Sequence, residues 1–80
     1  MNSEEFKSLK VGSRVIESVY NPNGACREQI EYEVTTRYDS STVGIMEILN
    51  ATSIPRSKRK KRNGKLLHDI PTEIVFFKLA

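Results

Sequence analysis

Between Arg56 and Lys65, seven of ten residues are cationic and none is acidic: Arg56, Lys58, Arg59, Lys60, Lys61, Arg62 and Lys65. Like charges at this density repel one another and cannot be buried cheaply, so the run does nothing for its own fold and looks outward, toward a polyanion. The chemistry it suits is non-covalent recognition of nucleic acid. Arg56, Arg59 and Arg62 carry planar forks for bidentate contacts with phosphate or guanine, and Lys58, Lys60, Lys61 and Lys65 act as point charges.

Covalent chemistry has poorer material. His68 is the only histidine and Cys26 the only cysteine, so neither a Cys and His metal site nor a nucleophile and base pair has a full set of partners. The glycines at 12, 24, 44 and 64 form no phosphate-cradling loop. The expectation is a binding protein that is not an enzyme and has neither cofactor nor metal, with His68 at a strand end or loop and Cys26 beside a turn. Asn50-Ala51-Thr52 matches a glycosylation acceptor, which has meaning only in a secreted protein.

Composition frames that run. The 80 residues suit one small domain, and a chain this short buries only about 60 to 65% of its unfolded surface, so its stability is modest. Lys plus Arg number 13 against 10 Asp plus Glu; without the seven of the run, six remain against ten, a body of −4 carrying one segment of +7. Such asymmetry points to nucleic acid or a membrane surface. No amphipathic helix or lipidation motif accompanies the run, which disfavours a lipid partner. No apolar stretch approaches the ~18 residues of a membrane span, and the first residues have no secretory signal. A single cysteine fits a reducing compartment, so the expected location is cytoplasmic.

The elements that must position the run follow from hydrophobic spacing. Ser3 to Leu9 predicts a short helical turn, with Ser3 as cap, Glu4 and Glu5 at the positive end, and Phe6 and Leu9 as an apolar pair. Arg14 to Tyr20 reads as a first strand and Asn21-Pro22-Asn23-Gly24 as a reversal. In the second strand Ile30, Tyr32, Val34, Thr36 and Tyr38 alternate with Gln29, Glu31, Glu33, Thr35 and Arg37, which predicts one buried face and one acidic face. That alternation assigns Tyr32 and Tyr38 to the core, leaving Tyr20 as the ring exposed beside a turn. Asp39-Ser40-Ser41 turns into a third strand, Thr42 to Leu49, apolar on both faces and therefore interior. A fourth strand begins at Ala51 to Ile54 and a closing strand occupies Thr72 to Leu79, with Phe76 among its buried residues.

This pattern predicts an all-β protein: a small antiparallel barrel or curved sheet of about five strands with a short N-terminal helical turn. Leu9-Lys10-Val11-Gly12-Ser13-Arg14-Val15 resembles the opening of the first strand in many SH3-like barrels, where a glycine shortly before an inward valine permits a sharp bend. The resemblance covers seven residues and implies a fold class; no functional residue follows from it. Within residues 55–67, Asn63-Gly64 predicts a type I′ turn joining Lys58 to Arg62 with Lys65 to Leu67, so that the cations ride on a basic hairpin arm; a disordered loop is the alternative. The function expected is DNA or RNA binding, mostly to the backbone, through this arm. The alternative is a small regulatory or inhibitory module that docks the basic segment on an acidic protein surface, with Glu31 and Glu33 offering a second contact face.

Overall fold

Two glycines shape the start of the sheet. Gly12 at φ +95° and Gly24 at φ +88° occupy the left-handed region that other residues avoid. Gly12 donates to the Val34 carbonyl at 2.9 Å and Val34 donates back to Ser13 at 2.8 Å, which swings the chain into the first strand and points Val15 into the core. Gly24 closes the Asn21–Gly24 reversal, whose bonds are Gly24 N to Asn21 O at 2.9 Å and Asn21 N to Ala25 O at 2.8 Å.

The protein is seen in a computed structural model that describes residues 1–48 and 64–80. Its elements in chain order are α1 (Ser3–Lys7), β1 (Arg14–Tyr20), β2 (Cys26–Asp39), β3 (Thr42–Glu47), β4 (Gly64–His68), α2 (Pro71–Ile74) and β5 (Phe77–Leu79). The strands form one open antiparallel sheet in the order β4-β3-β2-β1-β5, so the barrel is not closed. The third strand is interior, as its two apolar faces require. The expected fourth strand at Ala51 to Ile54, and the arm from Lys58 to Arg62, lie outside the described residues.

The sheet curls. In a flat sheet β4 and β5 would stand about 19 Å apart, four spacings of about 4.8 Å, yet the Lys65 ammonium on β4 lies 5.3 Å from the centre of the Phe77 ring on β5. The concave face holds Val15, Tyr32, Val34, Val43, Ile45, Leu67 and Phe77, covered by Phe6 and Leu9 from the N-terminal segment and Ile74 from α2. Asn2 rather than Ser3 caps α1: its side chain accepts from Glu5 N at 2.8 Å while Glu5 Oε1 accepts from Asn2 N at 3.0 Å, a reciprocal capping box. Ser3 Oγ instead donates to Asp69 Oδ2 at 2.7 Å.

Three expectations are corrected, each by a local constraint. Pairing of β2 with β3 shifts between Val34 and Thr36. The extra residue reverses the inside and outside faces. Arg37 consequently turns inward, donating to the Phe6 carbonyl at 3.1 Å with its guanidinium 5.0 Å from the Phe6 ring centre, and Tyr38 is 61% exposed rather than in the core. Gly64 opens β4 opposite Met46, so Lys65 to Leu67 belong to the body of the sheet, not to an arm, while the expected turn at Asn63-Gly64 reaches outside the described residues. The closing strand is shorter than expected because Pro71, which lacks an N–H for a ladder and suits the first helical position, starts α2. The helical turn sets Ile74 and Phe77 inward and leaves Val75 and Phe76 outside.

The two adjacent phenylalanines therefore differ in stability. Phe77→Ala should cost about 3 to 5 kcal/mol, enough to unfold so small a domain, whereas Phe76→Ala should cost under about 1 kcal/mol. Urea melts of the two variants measure the contrast, and equal losses would contradict this packing.

Candidate functional site

Of the seven cations singled out in the sequence, Lys65 lies within the described residues, and Arg56, Lys58, Arg59, Lys60, Lys61 and Arg62 lie outside them. The described strands nevertheless fix where that segment joins the body. β3 ends at Glu47, β4 begins at Gly64, and Met46 faces Gly64 across the ladder. The chain between them thus leaves and re-enters the sheet at neighbouring positions, beside one edge.

Lys65 faces inward. It pairs across the ladder with Ile45, a core residue, and its ammonium sits 2.8 Å from Glu17 Oε1 on β1. The same nitrogen lies 5.1 Å from the centre of the Tyr32 ring and 5.3 Å from that of Phe77, positions in which a cation is attracted by the rings. Tyr32 OH donates to the same Glu17 oxygen at 2.9 Å. One carboxylate oxygen thus joins β1, β2 and β4 across the concave face. Burial pushes the Tyr32 phenol well above its ordinary range, helped by the hydrogen bond to Glu17 and by the negative charge of Glu17, Glu47 and Glu28.

Beside this cluster, at the seam between β4 and the segment from α2 to β5, is a pocket of about 230 Å³. Leu66, Phe76 and Phe77 supply its apolar lining, and Glu17, Lys65 and Glu73 its charges. Phe76 also packs against Tyr20, with ring centres 6.3 Å apart, so Tyr20 is exposed but partnered. Glu73 Oε1 accepts from His68 N at 3.4 Å and lies 3.5 Å from His68 Nδ1, which puts the histidine at the strand end. Cys26 is exposed at the start of β2, just after the turn.

The acidic outer face of β2 is answered by a neighbour. Arg14 Nη1 lies 3.6 Å from Glu31 and Nη2 4.0 Å from Glu33. Exposed pairs of this kind contribute little to stability, but they blunt the negative face. Sequence reasoning missed the cluster under Lys65 because its members come from distant positions. The available signal was Glu17 itself, a carboxylate at the inward parity of a strand whose neighbours Val15 and Val19 are apolar.

Compared with known protein families, curated proteins and solved structures, the chain matches none. Among the described residues no helix is long and apolar enough to cross a membrane.

The raised Tyr32 phenol has a consequence for stability at high pH. The folded protein holds this proton more tightly than the unfolded chain, whose tyrosines ionise near about pH 10. Stability is then fully present below that value and is lost as pH rises beyond it. Denaturant melts between neutral pH and pH 11 should show the decline, and Tyr32→Phe should flatten it; an unchanged slope in that variant would contradict the assignment to Tyr32.

Proposed function

We propose that the protein binds DNA or RNA, contacting mainly the phosphate backbone through the cations Arg56, Lys58, Arg59, Lys60, Lys61 and Arg62. The observation that carries the proposal is the concentration of this charge in a connection attached at one edge of an otherwise acidic body. Lys65 drops out of the set, since its ammonium already faces Glu17 inside the curl. The described arginines are also engaged: Arg14 with Glu31 and Glu33, Arg27 with Glu28, and Arg37 with backbone carbonyls. In this reading the polyanion is met by the basic segment, with the sheet as its mount.

The finer fold assignment belongs with this proposal. The strand order, a short helix between the fourth and fifth strands, and the bend at Gly12 before Val15 support an SH3-like barrel whose seam stays open beside Lys65. A cytoplasmic setting is consistent with the single exposed thiol of Cys26. The second reading, a regulatory module docking its basic segment on an acidic protein surface, draws on the same charge and differs in its partner.

Titration with duplex DNA, single-stranded DNA and RNA at several salt concentrations tests the proposal. Neutralising about 4 to 6 phosphates should give a slope of log affinity against log salt of roughly −4 to −5 on duplex DNA. Arg59→Ala should reduce that slope by about 0.9, while Lys65→Ala should leave it unchanged. Absence of binding to all three at low salt would overturn the nucleic-acid reading and favour the protein partner.

A further inference from the structure

The bulge in β2 that turns Arg37 inward also turns Tyr38 outward, and the ring has neighbours there. A Cβ added at Gly44 would lie 3.2 Å from Tyr38 Cε2 and 3.6 Å from its hydroxyl, so the ring covers Gly44 on β3. Gly44 pairs across the ladder with Leu66 on β4. Leu66 and Phe76 line the same pocket, and Phe76 packs against Tyr20 with ring centres 6.3 Å apart. Tyr38, Leu66, Phe76 and Tyr20 thus follow one another in a strip that crosses β4 and the seam. They are 61, 51, 47 and 50% exposed, so none of them belongs to the core.

Single exposed apolar side chains are ordinary, but a contiguous row of them marks a contact surface. Tyr38 shields the backbone of Gly44, and Tyr20 and Phe76 shield one another, yet each ring still leaves about half of its surface or more in water. Each ring is packed on one side, so little freedom is lost when a flat group stacks on the other.

The charge beside the strip identifies its occupant. Arg62 precedes Leu66 by four residues, so whatever path the chain takes it stays within about 14 Å of the strip. The carboxylates that line the pocket are engaged, Glu17 with Lys65 and the Tyr32 phenol and Glu73 with His68. A partner for both features combines flat apolar faces with dense negative charge. Single-stranded nucleic acid does so, whereas a duplex keeps its bases stacked inside and an acidic protein surface offers no row of flat faces.

We propose that the strip formed by Tyr38, Leu66, Phe76 and Tyr20 is a stacking surface for the unpaired bases of single-stranded nucleic acid. The proposal rests on the nucleic-acid reading above and narrows it to a strand whose bases are open. Rings and an aliphatic side chain grip bases by their faces, so the strip accepts any sequence.

The test compares two probes by fluorescence anisotropy: an oligothymidylate of about 20 nucleotides and an abasic sugar-phosphate strand of the same length, which carries the same phosphates without bases. Oligothymidylate should bind on the order of a hundredfold more tightly, from stacking of two or three bases. Tyr38→Leu and Phe76→Leu keep an apolar cover and, because the replaced rings are exposed, a cooperative melt. Each should weaken oligothymidylate on the order of tenfold and leave both the abasic strand and the slope against salt unchanged, while Tyr38→Phe should bind as the unaltered protein does. Equal binding of the two strands, or leucine variants that hold oligothymidylate undiminished, would overturn the stacking surface and leave the phosphate reading standing. Binding of neither strand at low salt would remove both. Concentration-dependent doubling of mass abolished by Tyr38→Leu would also overturn the proposal, by giving the strip to a second copy.

Discussion

One carboxylate oxygen ties three strands together across the concave face of this sheet. Glu17 Oε1 accepts from the Tyr32 phenol and meets the Lys65 ammonium, joining β1, β2 and β4 at 2.9 and 2.8 Å. A glutamate on the concave face is costly to desolvate unless its charge is answered, and here a donor and a cation answer it. The Lys65 ammonium is also set against the Tyr32 and Phe77 rings, so its own desolvation is offset by ring electrostatics as well as by Glu17. With both ends of an open sheet drawn to one point, β4 comes to face β5 without hydrogen-bonding to it.

That arrangement explains how a short chain manages with a small core. Among the described residues ten apolar ones are buried, drawn from β1 to β5, α1, α2 and Leu9. Curvature lets α1 and α2, each only a turn or so long, cover the concave face; Phe6 and Ile74 are their buried contributions. Arg37 extends the same logic at the far end of β2, tying α1 to the sheet through the Phe6 carbonyl and ring. The seam that remains is where the pocket lies.

The basic segment, apart from Gly64 and Lys65, lies outside the described residues. In the body, each described arginine is engaged with a carboxylate or a carbonyl. The described ends of the connection, Glu47 and Gly64, lie side by side at the β4 edge of the sheet. Under the proposed function, recognition of a polyanion is governed by charge density and salt and needs little from the body beyond a mount.

Much of this was legible in the sequence. The β-rich class, the turn at Asn21–Gly24, the bend before Val15 and the inward parity of Ile30, Tyr32 and Val34 are local consequences of residue type and spacing, and the chain behaves accordingly. The nature of the run at Arg56 to Lys65 was legible too, because charge density needs no fold to be seen. Tertiary structure decided the rest. An extra residue at Thr35 cannot be read from an unbroken alternation, yet it exchanges Arg37 for Tyr38 in the interior. Nothing local distinguishes Lys65 from its neighbours in the run. Only its pairing with Ile45, which turns it toward Glu17 forty-eight residues earlier, converts a presumptive binding cation into a structural one. Local propensity sets which residues can form a strand, but the partner strand sets which way each side chain points, and function follows from that direction.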